Sequence, residues 1–486
     1  MFGLTEAIQP PDMASHPAGQ FHLHTPDRGK KVQANDTGRA TNEAIAVPPD
    51  LGPERTASVK DWLVLLLLMT ALICSYIDRF AFALLLEPIK SALGASDAAL
   101  GLLNGVAFGL FFATMGLPLG RLADRWSRKG TIIIGISVWT AATALCGLAG
   151  NFLHLLVARI GVGAGEAGLT PASYSLVHDR FPRARLGVAL SIYQLGSMVG
   201  AGTAFIVAGA AYQYFQAGHG ASWPWIGALA PWQKTFIAVA LPGLPLIALL
   251  TLMREPGKRP RAATQMVHPS TPRGNLLHFI VTFLGASGGT LAIYGLTLWL
   301  PAVLAREYGW SPGQAGATYG MIVMIVGPAG LLSGGWISDF ITRRRGHGAH
   351  IAIVFASIVS ALPLMAAIGL TSNSTLLLIL VAISHYLLAL PAGVLPAYIQ
   401  IETAPESRSQ MSALYVFIIN IVAIGIGPSL IGFISSLAPG DPTALRTAIT
   451  AVSVPFLAGS AVILFFMLRG SKRRDRSHIG RTPQHR

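Results

Sequence analysis

The sequence predicts an all-α integral membrane protein, with twelve transmembrane helices in two pseudo-symmetric six-helix bundles. Composition, apolar run length and charge placement each point to it. Only 12% of the 486 residues are charged and 52% are hydrophobic, where an ordinary soluble domain carries about a quarter charged. Mean hydropathy is +0.56. From Asp61 onward, apolar runs recur that each approach the ~20 residues needed to cross a ~30 Å hydrocarbon layer. This composition excludes disorder for most of the chain. With only Cys74 and Cys146, both inside apolar runs, a disulfide scaffold is excluded as well.

The elements follow in order. Residues 1–58 are rich in Pro, Gly, His and polar residues and read as a disordered cytoplasmic tail. They lack the basic start, apolar core and small-residue cleavage site of a secretory signal. The first six helices fall at about 61–87, 98–120, 130–149, 152–178, 185–211 and 234–253, within an N-terminal bundle spanning 59–253. A polar, Pro-rich and basic linker covers 254–274. A second bundle at 275–469 holds helices at about 275–303, 312–338, 349–370, 374–400, 408–436 and 443–469, and 470–486 forms a basic cytoplasmic tail. Many of the 53 glycines lie inside these runs. Such residues weaken helices in water but let helices pack closely in lipid.

The net charge of +14 raises the question of nucleic acid, and its placement answers it. Twelve crossings divide the loops into two faces. One face, with both tails and the linker, holds 29 of the 35 Lys and Arg residues. The other holds only Lys90, Lys234, Arg306 and Arg446, which leaves Arg79 and Arg159 inside helices. The rich face is therefore cytoplasmic, and both termini lie there. The expected setting is the cell inner (plasma) membrane, and the collar of cations can meet membrane lipid headgroups rather than nucleic acid.

An internal repeat supports two halves. Gly120-Arg121-Leu122-Ala123-Asp124 closes helix 2, and Gly335-Trp336-Ile337-Ser338-Asp339 closes helix 8, with Gly and Asp each 215 residues apart. A basic cluster follows each copy. Pro171-Ala172 and Pro396-Ala397 echo each other more weakly in helices 4 and 10. Transporters with midplane sites are commonly built from such repeats.

The stretch Gly120-Arg121-Leu122-Ala123-Asp124-Arg125-Trp126-Ser127-Arg128-Lys129 resembles the signature loop between helices 2 and 3 of the major facilitator superfamily. The resemblance covers about 59–470. Within it, Tyr76-Ile77-Asp78-Arg79-Phe80, Arg159-Ile160-Gly161-Val162-Gly163-Ala164-Gly165-Glu166-Ala167 and Trp299-Leu300-Pro301 are similar to spinster-type transporters. The resemblance implies two bundles rocking about a central cavity, in a branch whose animal members are associated with lysophospholipids and sphingolipids. Helix 5 carries Gly196, Gly200 and Gly202 but lacks the Gly-Pro pair typical of many drug/proton antiporters, a departure that speaks against multidrug antiport.

Charges inside a bilayer are costly and therefore informative. Asp78 and Arg79 lie about 17 residues into helix 1, near mid-membrane. They form either a structural pair or a site where Arg79 grips an anionic group through its planar fork and Asp78 modulates it. Glu166 lies deep in helix 4. A carboxyl that alternates between a dry site and an Arg-paired site can take up and release a proton. Glu166 is thus the main candidate for proton coupling, with Asp78 second; the alternative is a hydrogen bond to a neighbouring backbone. Arg159 lies seven residues before Glu166, close to two turns, so both share a face. It reads as a gating residue or as a structural anchor. Asp124 and Asp339, with Gly120, Arg125, Arg128 and Gly335, form a candidate gating latch at helix ends. Tyr76, Asn104, Tyr193, Gln194, Tyr294, Trp299, His385 and Asn420 complete a candidate substrate-binding set, each with packing as its alternative.

No Walker loop, metal spacing or nucleophile elbow appears. The expectation is a monomeric secondary active transporter, not an enzyme, with no cofactor and no metal. It moves a small organic anion or amphiphile with protons by alternating access. The alternatives are a lysophospholipid/sphingolipid-type exporter or facilitator without tight coupling and, from another class, a membrane-embedded receptor or enzyme.

Overall fold

The computed structural model describes residues 57–255, 276–345, 349–403 and 407–479. Every regular element among them is helical. Twelve helices are long and apolar enough to cross a membrane: helices 1 to 6 are Val59–Leu84, Asp97–Arg125, Arg128–Gly147, Phe152–Arg180, Arg185–Gln216 and Pro231–Leu252. Helices 7 to 12 are Leu276–Tyr308, Pro312–Thr342, Ala349–Leu370, Ser374–Glu402, Gln410–Ser435 and Ala444–Arg469. Most of the expected N-terminal tail and linker, and the end of the C-terminal tail, lie outside the described residues.

Helix starts are set by side-chain caps. Ser58 and Asp61 form a capping box at helix 1. Ser96, Ser127, Asn151 and Asn373 each accept an orphan N–H at helices 2, 3, 4 and 10. Such caps contribute about 1 kcal/mol each. Several ends differ from expectation. Helix 1 stops at Leu84 rather than 87, and a short helix, Leu86–Leu93, closes on Gly94 at φ 61°, in the left-handed region that favours glycine. Helix 2 runs on to Arg125 rather than 120, because Arg, Leu, Ala and Asp all tolerate a helix until Ser127 caps the next one. Helical structure after helix 12 continues to Ile479, into the expected tail.

Interruptions sit inside four spans. Helices 2 and 11 carry π-turns at Leu103–Ala107 and Asn420–Ile426, a feature frequent at functional sites. Helix 4 breaks after Glu166, where Pro171 has no N–H to offer the Ala167 carbonyl. Helix 6 breaks at Leu241-Pro242 for the same class of reason.

Small residues set the packing. A Cβ on Gly163 would lie 2.6 Å from the Phe108 carbonyl oxygen, and one on Gly165 2.6 Å from the Trp139 nitrogen. Helix 4 thus lies directly against helices 2 and 3. The two halves meet in the same way. Gly101 and Gly105 pack against Pro428, Ser429 and Gly425 of helix 11, while Gly202 packs against Gly320 and Gly316 against Phe205 between helices 5 and 8. Large apolar side chains such as Leu252 and Leu370 point outward, as lipid contact requires.

Ion pairs stitch the tail-side face of the first half. Arg128 at the start of helix 3 pairs with Asp179 at the end of helix 4, and its Nε lies 3.2 Å from Glu255 Oε1. Ser127 Oγ donates to Glu255 Oε2 at 2.5 Å, and Lys129 Nζ donates to the Thr251 and Met253 carbonyls at 2.7 Å. Burial works against the charged Glu255 carboxylate, but the Ser127 hydroxyl, the Arg128 N–H and the Arg128 guanidinium outweigh it. The Glu255 carboxyl is thereby held below its usual range.

Two outcomes follow. Gly165→Ala should destabilise the detergent-solubilised protein by about 1–3 kcal/mol through overpacking, seen as a lower Tm. Gly459→Ala, with open space around the new methyl, should leave Tm unchanged or slightly raised. For Glu255 the native carboxyl titrates below its unfolded value, so its contribution is full above that value and is lost as pH falls through the native one. Glu255→Gln should therefore cost about 1–2 kcal/mol at neutral pH, and its Tm deficit should vanish as pH drops through the acid range. A deficit that does not change with pH refutes the assignment.

Candidate functional site

Three helices converge on a buried polar cluster. Helix 1 contributes Asp78 and Arg79, helix 2 Asn104 from its π-turn, and helix 4 Arg159 and Glu166. All five are at most 4% exposed. Arg79 reaches Glu166 rather than its neighbour Asp78. Its Nη2 lies 2.6 Å and its Nε 3.3 Å from Glu166 Oε2. Arg159 Nη2 donates to Asn104 Oδ1 at 3.1 Å.

Aromatic faces line the guanidinium groups. The Arg79 Cζ lies 4.8, 4.6 and 4.7 Å from the ring centroids of Tyr76, Phe108 and Phe112. Arg159 lies 4.7 Å from Phe82 and 5.2 Å from the same Phe108. Phe108 therefore serves both cations, and these cation–π contacts replace part of the water each charge lost. Both strong donors of Arg79 use one carboxylate oxygen. Among the described residues, Glu166 Oε1, Asp78 Oδ1, Arg159 Nε and Asn104 Nδ2 are buried without a hydrogen-bond partner. Buried polar atoms are ordinarily satisfied, so this concentration marks a site able to receive a proton or a polar ligand.

The expected binding residues divide. Tyr76 and Asn104 are in the cluster, and Tyr294 of helix 7 lies beside it, its ring tilted 6.3 Å from that of Phe80, the residue after Arg79. The remaining five do not join it. Tyr193 is fully buried against Tyr174 at 5.6 Å. Gln194 is exposed. Trp299 is 1% exposed, and its indole N–H donates to the Pro428 carbonyl at 3.1 Å, which makes it a packing link between helices 7 and 11. His385 is buried with Tyr319 edge-on at 6.3 Å, and Asn420 opens the π-turn of helix 11. Polarity inside an apolar run does not reveal which way a side chain faces, and that separated the two groups.

Among the expected gating residues, a Cβ on Gly120 would lie 3.8 Å from Pro171 Cβ, and one on Gly335 3.9 Å from the Gly393 carbonyl oxygen. The repeat-related glycines thus each sit against the corresponding helix, 4 or 10. Asp124, Arg125 and Asp339 are exposed. Arg128 is buried, and its partners include Asp179, Glu255 and Ser175.

A second charged cluster was missed. On the Lys/Arg-poor face, Arg306 of helix 7 reaches Glu87 at 2.6 Å and clasps both oxygens of Asp97 at 2.6 and 2.7 Å. Lys90 lies 2.7 Å from Asp97, and Ser435 of helix 11 donates to Asp97 at 2.7 Å. This clasp ties the start of helix 2 to helices 7 and 11. The signal was in the sequence, since Lys90 and Arg306 are two of only four cations on that face and acids stand beside them.

Comparison with known proteins agrees with the architecture. The family model described as "Major Facilitator Superfamily" matches residues 68–428. An "MFS-type efflux pump" of Mycolicibacterium smegmatis is 29% identical over 414 residues, covering 82% of this chain and 91% of that protein. "Protein spinster" of Drosophila melanogaster is 23% identical, covering 86% and 70%. Among solved structures, a bacterial homologue of the human lysosomal transporter Spinster, inward-facing and unoccupied, superposes with a TM-score of 0.73 at 26% identity, covering 85% of this chain and 98% of that one. The chain belongs to the major facilitator superfamily and is a membrane transporter that resembles its spinster-like branch.

Proposed function

We propose that this transporter moves a small organic anion or amphiphile in exchange or together with protons, through a monomer in the cell inner membrane with both termini cytoplasmic. The carrying observation is the Arg79–Glu166 pair. With Glu166 ionised, Arg79 spends its fork on Glu166. When Glu166 takes a proton, its charge no longer holds the guanidinium, and an oxyanion of the substrate takes that place through charge-assisted hydrogen bonds. Asp78, buried beside them, is the second proton site. The pair thus makes substrate binding and proton binding mutually dependent.

The clasp on the Lys/Arg-poor face gives the conformational side of this reading. Arg306 with Glu87 and Asp97 joins the two halves on that face, and while the clasp holds, access to the cluster is from the cytoplasmic side. Rocking of the halves breaks the clasp and exposes the cluster to the other side. The aromatic walls around Arg79 favour an amphiphile over a compact inorganic anion. They also favour a second reading, in which a lysolipid-like molecule is exported without tight coupling. The similarity to an efflux pump supports export as the direction.

In proteoliposomes, a panel of organic anions and lysophospholipids is first screened for thermal stabilisation. For the ligand found, Arg79→Lys should weaken binding by about 2 kcal/mol, roughly thirtyfold, because an ammonium lacks the fork. Glu166→Gln should abolish accumulation driven by a pH gradient while substrate exchange persists. Full pH-driven accumulation in Glu166→Gln would overturn the coupling. Thr297, nine residues before Arg306 in helix 7, is 5% exposed; in a background without Cys74 and Cys146, Arg306→Gln should raise labelling of Thr297→Cys by a membrane-impermeant maleimide applied from the Lys/Arg-poor side, and unchanged labelling would sink the clasp.

A further inference from the structure

A cavity apart from the charged cluster lies on the Lys/Arg-rich face, at the edge between helices 1 and 6. It holds about 400 Å³ and is lined by the start of helix 1, the end of helix 4 and the end of helix 6. Its rim is basic. Lys60 and Arg254 are exposed and, among the described residues, have no ion-pair partner. Arg180 lies between them, with Nη1 3.1 Å from Asp61 Oδ1 and Nη2 bound to the Arg254 carbonyl. Its Nε is buried and unpartnered. Asp61, next to Lys60, is already engaged by Arg180 and Ser58. Among the described residues, the lining carries three cations and no acid.

Below the rim, the wall is apolar and open to the hydrocarbon. Leu63, Leu249 and Leu252 are 59%, 53% and 80% exposed. A soluble anion would use the cations but gain nothing from these side chains. A molecule with a phosphate at the interface and an acyl chain below it satisfies both. Basic pockets between transmembrane helices are suited to anionic headgroups, and burying an acyl chain against leucines adds van der Waals contact.

We propose that this cleft is a binding site for one anionic glycerophospholipid. Its phosphate rests on Lys60 and Arg254, in the positive field of Arg180 beside them, and an acyl chain lies along Leu63, Leu249 and Leu252. The bound lipid braces helix 1 against helix 6 at the tail end of the very helix that carries Asp78 and Arg79.

Lys60 and Arg254 are exposed and unpaired, so replacing them leaves the fold intact. The full-length protein is titrated with phosphatidylglycerol and, separately, with phosphatidylcholine of the same chain length, and bound lipids are counted by native mass spectrometry. Wild type should retain one phosphatidylglycerol that Lys60→Gln/Arg254→Gln binds roughly thirtyfold more weakly, the loss expected for two cations at an anionic site. Arg121→Gln/Arg185→Gln removes the same charge elsewhere on that face and should bind as wild type. Glycerol phosphate, which has no acyl chain, should not displace the lipid. Equal retention by the first double variant, equal binding of phosphatidylcholine, or displacement by glycerol phosphate would each overturn the assignment.

Discussion

A cation at mid-membrane has no water to fall back on, and the arrangement of the first half follows from how Arg79 is compensated. An isolated charge there costs at least ~2.5–3.5 kcal/mol, and two arginines lie within one bundle. The chain answers with a carboxylate from another helix, an amide from a third and aromatic faces around both guanidiniums. A buried pair of this kind is poor evidence for stability, since an apolar substitute often does as well. In the proposed coupling its value is chemical: removing the charge on one partner releases the other.

That chemistry requires backbones closer than ordinary side chains permit. Helix 4 brings Glu166 and Arg159 inward only because Gly163 and Gly165 let it lie on the backbones of helices 2 and 3. The break after Glu166 and the π-turn at Asn104 place irregular backbone next to the charges. Irregular backbone is tolerated at this depth only where it is buried in protein or lines a cavity, and such segments absorb rearrangement more readily than a continuous helix.

The two faces use their charges differently. On the Lys/Arg-rich face, the recorded pairs of Arg128, Arg180 and Lys129 connect helices and linker of one half to each other. On the poor face, Arg306 joins one half to the other. Contacts within a half hold its helices to one another. In the proposed alternating access, the contacts between halves are the ones made and broken.

Sequence alone determined the twelve crossings, the two halves and the identity of the four membrane charges, because hydropathy, Lys/Arg placement and desolvation cost act on the chain residue by residue. The Gly-rich run before Glu166 announced close packing for the same reason. Tertiary structure alone decided that Arg79 takes Glu166, 87 residues away, over adjacent Asp78. Neighbouring residues on a helix point in different directions, and only the docking of helix 4 says which acid shares Arg79's face. It also decided that Trp299 packs and Tyr294 approaches the charges, and that Arg306 meets Asp97 across 209 residues. Facing and long-range pairing are properties of assembled helices, and no local pattern in the chain encodes them.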